Sequence, residues 1–402
     1  MKIIEIKDTS AAAALFRKIG VEAYGIDAMA PKAVHLNILL EKQSCKVANI
    51  IKQEMLSLGG EAAVARGSVA CSIPSTDILI MGTIKQIRAL TAKMEKQPFG
   101  LKLLARDILD LLENIGEREF VLKTSRREMV LSKKTLIMGI LNVTPDSFSD
   151  GGIYFSRDQA IEHGLRLADE GADMIDIGGE STRPGSKAVP VKVEMERVLP
   201  VIEGLSGRIK IPISIDTRKA DVAKAAVNAG AEMINDISAL NHDSKMVEVA
   251  RQTGAALVLM HMKGQPRSMQ KGNLEYRDLM GEITEYLKKS IDKALNAGVK
   301  RESIMVDPGI GFGKTAEDNY KIIKNLSQIK KLGMPVLIGT SRKSFIGKMI
   351  GGDPDERMEG TAATVAAAIL NGCHVIRVHD VAAMKKVASV TDAVIHSGQV
   401  MS

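Results

Sequence analysis

From Thr135 onward, short apolar runs alternate with longer segments in which apolar positions recur every three or four residues. Eight such runs occur, at 135–144 (TLIMGILNVT), 174–179 (MIDIGG), 212–216 (PISID), 233–238 (MINDIS), 256–262 (ALVLMHM), 304–309 (IMVDPG), 335–341 (PVLIGTS) and 374–380 (HVIRVHD). Runs of this length, rich in β-branched residues and six of them closed by Gly, Asp or Ser, read as buried strands, and the 3.6-residue period between them reads as helix. In DVAKAAVNAG (221–230), Val222, Ala225, Ala226 and Ala229 keep the spacing of one buried face. DLMGEITEYLKKSIDKALNAG (278–298) ends on a glycine, where helices commonly stop. Eight βα units in about 270 residues predict a TIM (β/α)8 barrel, whose usual size is about 250. A doubly wound sheet is the competing arrangement, and near-equal repetition favours closure.

Polar residues and glycines gather at the carboxyl ends of these strands: Asn142, Gly178 to Arg183, Asp216, Asn235 and Asp236, Asp307, Ser341 to Lys343, and Arg377 to His379. In a barrel those ends converge on one face, so residues scattered through eight loops become one pocket.

Residues 1–131 do not join the repeat. HLNILL (35–40) predicts a strand, 44–60 a helix stopped by Gly59-Gly60, and 62–74 and 76–82 further strands. IKQIRALTAKM (84–94) puts Ile84, Ile87, Leu90 and Met94 on one helical face, and 99–116 reads as another helix. The expected organisation is a small α/β domain with a helical link over 1–131, free of any chemical motif, and a barrel over 132–402.

Composition narrows the function classes. Hydrophobic residues at 45% and charged residues at 26% exclude disorder and coiled coil. Aromatics are only 3%, with no Trp, too few for stacking on bases, so the core must be aliphatic with 21 Met as adaptable filler. The net charge of +7 is spread without a basic block, so neither a nucleic acid nor a membrane surface is expected as partner. Three cysteines without CxxC spacing, no apolar stretch of about 18 residues and an acid-containing N-terminus predict a cytoplasmic protein.

Chemistry concentrates in the loops. NVTPDSFSDGG (142–152) is a long polar βα loop, and the amide oxygen of Asn142 can ligate a hard cation or bind a phosphate oxygen. GGESTRPGS (178–186) offers Thr182 and Arg183, the latter able to grip an anion or stack on a ring. Asp216, Asn235, Asp307 and Lys343 in one mouth suit a fused heterocycle with an amidine-like edge: the carboxylates accept from ring N–H groups, and the amide and ammonium serve the carbonyl and ring nitrogens. Strand alternation places Val375, Arg377 and His379 on one face, a cationic pair where TIM barrels frequently bind phosphate. His261 and His374 read as structural. DPGIGFGK (307–314) lacks phosphate-loop spacing and reads as a tight turn carrying Asp307 and presenting Phe312.

Taken in order over residues 135–396, MGILNVTPDSFSDGG, DIGGESTRPGS, ISIDT, INDIS, LMHMKG, DPGIGFGK, GTSRKSFIG and RVHDV resemble the dihydropteroate synthase family. The resemblance implies a transferase of folate biosynthesis that joins (7,8-dihydropterin-6-yl)methyl diphosphate to p-aminobenzoate. It assigns Asp216, Asn235, Asp307 and Lys343, with Met260, to the pterin. Asn142 would bind Mg2+ and, with Thr182, Arg377 and His379, hold the diphosphate; Asp307, Lys343, Arg377 and His379 form the implied catalytic set. Phe148, Thr182, Arg183, Pro184, Phe312, Lys343 and Ser344 would surround p-aminobenzoate, the substrate that sulfonamides mimic. A homodimer is implied as well. The extra N-terminal region departs from the family and reads as a docking or oligomerisation module. Two other functions compete: a pterin-dependent methyltransferase acting on methyltetrahydrofolate and a corrinoid protein, with no use for the diphosphate grip, and a nucleic-acid binder suggested only by the basic charge.

Overall fold

The computed structural model describes residues 1–116, 120–131, 134–144, 153–181, 186, 188–264 and 274–397. The chain forms two compact units, dividing after Arg118.

The first unit opens with two helices, α1 (Thr9–Ile19) and α2 (Ala23–Ala33), followed by β1 (His35–Ser44), α3 (Cys45–Ser57), β2 (Glu61–Val64), β3 (Ser75–Thr83), α4 (Ile84–Met94) and α5 (Leu101–Ile115). Its sheet has the order β1-β3-β2 with antiparallel neighbours. Ile51, Met55, Ile78, Ile80, Ile87, Leu90, Met94 and Ile108 form its core. The expected helices and strands are present, with one difference: the strand anticipated over 62–74 ends at Val64. Arg66-Gly67-Ser68 forms one tight helical turn and Cys71 takes a positive φ, so the chain turns there. The helices α1 and α2 were not anticipated. Asp8 caps α1, its carboxylate accepting from the Ala11 N–H at 2.7 Å.

The second unit begins with a hairpin, β4 (Val121–Lys123) and β5 (Glu128–Val130). Barrel strands and helices then alternate: β6 (Leu136–Asn142), α6 (Ile153–Asp169), β7 (Met174–Gly178), α7 (Val191–Leu205), β8 (Ile213–Asp216), α8 (Ala220–Ala229), β9 (Met233–Asp236), α9 (Met246–Thr253), β10 (Ala256–Met260), α10 (Leu279–Asn296), β11 (Ile304–Asp307), α11 (Ala316–Lys324), β12 (Leu337–Ile338), α12 (Ser344–Ile350), α13 (Met358–Leu370), β13 (Val375–Val378) and α14 (Val381–His396). The eight strands β6 to β13 are parallel neighbours. A bridge from Val306 to Val336, with Val306 N–H donating to Pro335 O at 2.9 Å, closes the ring between β11 and β12. All eight strands lie within the runs read from the sequence.

Strand alternation sorts the residues. Ile137, Leu141, Ile175, Ile177, Ile213, Ile215, Ile376 and Val378 face the helices in the main core. Met138, Met174, Met233, Val258, Met305, Leu337 and Val375 fill the lower interior. Thioethers suit this irregular space, and each buried side chain contributes about 1.5–3 kcal/mol. Leu122 and Leu131 belong to the same cluster, so the β4–β5 hairpin closes the amino-terminal end of the barrel. Glu232 fastens it, accepting from Arg127 Nε at 2.9 Å and Thr124 Oγ1 at 2.7 Å. The boundary expected at 131/132 therefore corresponds to a division after 118, because residues 120–131 bury their leucines against barrel strands.

On α8 the buried face is Val222, Ala223, Ala226 and Val227, with Ala225 and Ala229 half-buried. The helix is rotated from the expected face because that places both valines, rather than two alanines, in the core. Gly298, just beyond α10, has φ 94, a conformation that only glycine adopts without strain. Among the described residues, no helix is long and apolar enough to cross a membrane.

Candidate active site

The strand ends place the predicted residues by register. Asn142 pairs with Gly178, Gly178 with Asp216, and Asp216 with Asn235, while Met260 pairs with Asp307. A Cβ at Gly178 would lie 3.7 Å from Asn142 Oδ1 and 3.8 Å from Asp216 Oδ2, so the missing side chain keeps the space between them open.

Arg377 rises from β13 between two carboxylates. Its Nε donates to Asp176 Oδ2 at 2.6 Å and its Nη2 to Asp216 Oδ2 at 3.0 Å. Asn235 Nδ2 donates to the same Asp176 oxygen at 2.9 Å. Asp176 is 0% exposed, and its Oδ1, the Ser214 Oγ and the Asn235 Oδ1 are buried without a hydrogen-bond partner. Such atoms cost free energy unless a ligand or ordered water satisfies them, which marks the interior beneath the mouth as a polar binding floor.

Burial pushes Asp216 up to about 7, with Arg377 opposing the shift and Asp176 adding to it. Burial likewise raises Asp307 to about 6, opposed by the Gly309 N–H and by Lys343. Lys343 falls to about 8, through burial first and Arg377 second. Three ionisable groups with displaced proton affinities around one hollow are the signature of a functional site.

The loop after β11 is built around a lysine. Asp307 Oδ1 accepts from the Gly309 N–H at 2.6 Å. Gly309 has φ 70, and a Cβ there would lie 1.9 Å from the His261 carbonyl oxygen, so only glycine fits. Lys314, 2% exposed, donates to Gly309 O at 2.9 Å and Phe312 O at 3.0 Å and reaches His261 Nδ1 at 2.9 Å. The turn thereby presents Phe312, whose ring lies 4.3 Å from Lys343 Nζ. Phe312 also packs with Ile237, Met260 and Met262 into a small apolar wall. Ser344 is exposed at the start of α12.

His379 corrects the expectation of a cationic pair. Its Nδ1 shares a 3.0 Å hydrogen bond with Ser341 Oγ, and burial together with Arg377 and Arg342 holds its proton affinity down to about 3. It is therefore neutral near pH 7, and Arg377 carries the positive charge at this strand end. The structural reading of two other histidines agrees with the structure: His261 meets Lys314 and stacks edge-on to Tyr286, and His374 Nδ1 accepts from Val336 N–H at 3.0 Å.

The sequence reading missed Asp176 and Lys314, and placed Ser341 at a strand end without giving it a role. Alternation in MIDIG already places Asp176 on the inward face with Met174 and Gly178, a usable signal. Phe148, Thr182, Arg183 and Pro184 lie outside the described residues. Glu180, just before the last three, pairs with Arg218 at 3.1 Å and with Lys219, which also binds Glu194, so the base of that loop is tied to the β8–α8 connection and to α7. No cluster of three or more His, Cys, Asp or Glu side chains able to hold a metal occurs among the described residues. Asn142 supplies one half-buried amide oxygen beside Asp216.

A family model described as "Pterin binding enzyme" matches residues 138–379. The dihydropteroate synthase of Synechocystis sp. is 49% identical over 263 residues, 65% of this chain and 90% of that protein. The crystal structure of the dihydropteroate synthase FolP from Clostridium difficile in the presence of pteroic acid superposes with a TM-score of 0.62 at 47% identity, covering 65% of this chain and 97% of that one. A probable bifunctional folylpolyglutamate synthase/dihydropteroate synthase of Halobacterium salinarum is 40% identical over 357 residues, 89% of this chain and 42% of that protein. That span exceeds everything after Arg118, so this likeness runs into the N-terminal unit.

Proposed function

The chain belongs to the pterin-binding enzymes and, among them, to the dihydropteroate synthases, and from that premise we propose how its barrel mouth is divided between two substrates. The reaction of the family, in folate biosynthesis, forms 7,8-dihydropteroate and diphosphate from (7,8-dihydropterin-6-yl)methyl diphosphate and p-aminobenzoate. One C–O bond breaks and one C–N bond forms.

Asp216, Asn235, Asp307 and Lys343 receive the pterin, with Met260 against its face. The orphaned Asn235 Oδ1 is an acceptor waiting for a ring N–H, and Asp307 is held by Gly309 in position to accept another. Arg377 balances the negative charge that develops on the departing diphosphate, the term that dominates such reactions. Neutral His379, oriented by Ser341, serves there as a hydrogen-bond donor rather than as a charge. The electron-rich pterin shares positive charge at its exocyclic carbon, and the arylamine attacks with its own lone pair and then loses one N–H proton to the departed diphosphate or to water, so no strong base is required. Phe312, Lys343 and Ser344 line the p-aminobenzoate side, and the family resemblance assigns Phe148, Thr182, Arg183 and Pro184 to the same substrate.

The donor set at Asn142 fits Mg2+, which keeps several waters and takes substrate phosphate oxygens, needing few protein ligands. When bound, the ion supplies charge neutralisation to the diphosphate. Asn142 Oδ1 would hold it, and the family resemblance assigns Thr182 to the diphosphate as well. A homodimer and a cytoplasmic location complete the reading. The N-terminal unit is assigned a docking or structural role, supported by the absence of a catalytic constellation among its described residues.

The observation that carries the assignment is the ring of Asp216, Asn235, Asp307 and Lys343 around one hollow beside Arg377. Diphosphate release is its test. Release that needs both the pterin diphosphate and p-aminobenzoate, and falls at least about 100-fold in Arg377→Ala, is the expected result, since lost transition-state donors typically cost that much. Unchanged release in the variant would remove Arg377 from the diphosphate site.

A further inference from the structure

We propose that Asp176 is a positioning residue that anchors Arg377 so that the guanidinium can exchange Asp216 for the diphosphate of an arriving substrate. The inference rests on the assignment of Arg377 to the diphosphate.

Asp176 occupies an interior position of β7 where its neighbour across the ladder on β6 is Ile140. A fully buried carboxylate there is expensive unless matched in charge and geometry. Its match is the Arg377 Nε at 2.6 Å, the shorter of the two arginine contacts. A bond at Nε fixes the stem and the plane of the guanidinium while leaving its outer nitrogens free to change partner. The second partner differs in setting: the Asp216 side chain is 14% exposed at the mouth, against 0% for Asp176. An incoming diphosphate approaches from the mouth and competes for Nη2 with Asp216, not for Nε with Asp176.

The exchange has a consequence for the rest of the substrate. Asp216 released from Arg377 regains the capacity to accept an N–H from the heterocycle. The same Asp176 oxygen that holds Nε also accepts from Asn235 Nδ2, which fixes the amide and leaves its Oδ1 as the end without a protein partner. One buried carboxylate thus sets both the arginine and the amide. Diphosphate and heterocycle become coupled ligands, linked through Arg377 and Asp216.

Calorimetric titration of the full chain tests this without chemistry. The probes are 6-hydroxymethylpterin, which has no leaving group, and inorganic diphosphate with Mg2+. In the native protein, diphosphate is expected to tighten the pterin alcohol at least about fivefold, the lower end of ordinary coupling between sites. Asp176→Asn is expected to reduce that factor to within about twofold of none, whichever way the separate affinities move. A purely structural role for Asp176 would weaken ligands without changing their ratio. Should Asp176→Asn fail to fold, Arg377→Lys reads the same device. Lysine keeps the charge but cannot bond Asp176 and an anion together, so diphosphate still binds and the coupling disappears. No coupling in the native protein, or coupling that survives either folded variant, overturns the proposal. Failure of the native protein to release diphosphate in turnover would instead undo the underlying assignment.

Discussion

Asp307 and Lys343 face the same hollow, and burial moves their proton affinities toward each other, to about 6 and about 8. The heterocycle needs the first as an acceptor and the second as a donor. With Asp307 raised from the usual carboxylate range, its accepting form is lost as pH falls through about 6; with Lys343 lowered, its donating form is lost as pH rises through about 8. The expected kcat/KM profile is a bell between these limbs. Asp216, raised to about 7, shares the accepting role, so Asp307→Asn should leave a shallower acid limb set by Asp216 alone, and a limb unchanged in steepness would assign it elsewhere. Gly309 gives a second residue-scale expectation. Its φ of 70 and the His261 carbonyl 1.9 Å from any Cβ leave alanine no room. Gly309→Ala should cost about 1–3 kcal/mol or more in a denaturant melt, with a larger loss of activity because Asp307 is held by the Gly309 N–H. Most site residues were legible because each closes a strand on a polar side chain. Asp176 was less so, because it sits in the middle of β7, two positions before its end, and its importance depends on Arg377, which follows it by 201 residues.

Alternation along β13 correctly separated Val375, Arg377 and His379 from Ile376 and Val378. Helix faces were harder, because Ala-rich α8 satisfies several amphipathic stripes and only side-chain volume decides among them. The β4–β5 hairpin was invisible for a different reason. Three residues per strand carry too little periodicity, and what identifies the element is a partner surface assembled from strands up to 253 residues later. Leu122, 0% exposed against Met-lined strands, makes the element testable. Leu122→Ala should destabilise the barrel by about 2–5 kcal/mol while leaving KM for both substrates near native, since the hairpin closes the end opposite the mouth. A selective rise in KM would contradict that separation.

At the scale of the whole chain, the Synechocystis relative matches 65% of this chain with 90% of its own length, so a barrel without the N-terminal unit is a complete protein elsewhere. A chain beginning at Glu119 is therefore expected to fold and turn over, measured by diphosphate release. One beginning at residue 132 retains every site residue but lacks the hairpin, and its melting temperature should fall well below that of the longer fragment. Equal melting temperatures would mean that the hairpin adds nothing.

The hairpin also acts as a seal against chemistry of another kind. Met138, Met174, Met233 and Met305, the thioethers stacked beneath the charged ring, are all 0% exposed. A sulfoxide in that stack would place a polar, bulkier oxygen among close-packed apolar side chains and would disturb the strands that carry Asp176, Asn235, Asp307 and Arg377. Under dilute peroxide, the fragment from Glu119 should keep these four sulfurs reduced by peptide mass, whereas the fragment from residue 132 should oxidise there and lose activity in step. The hairpin, remote from the reaction, would then determine how long the enzyme survives an oxidising cell.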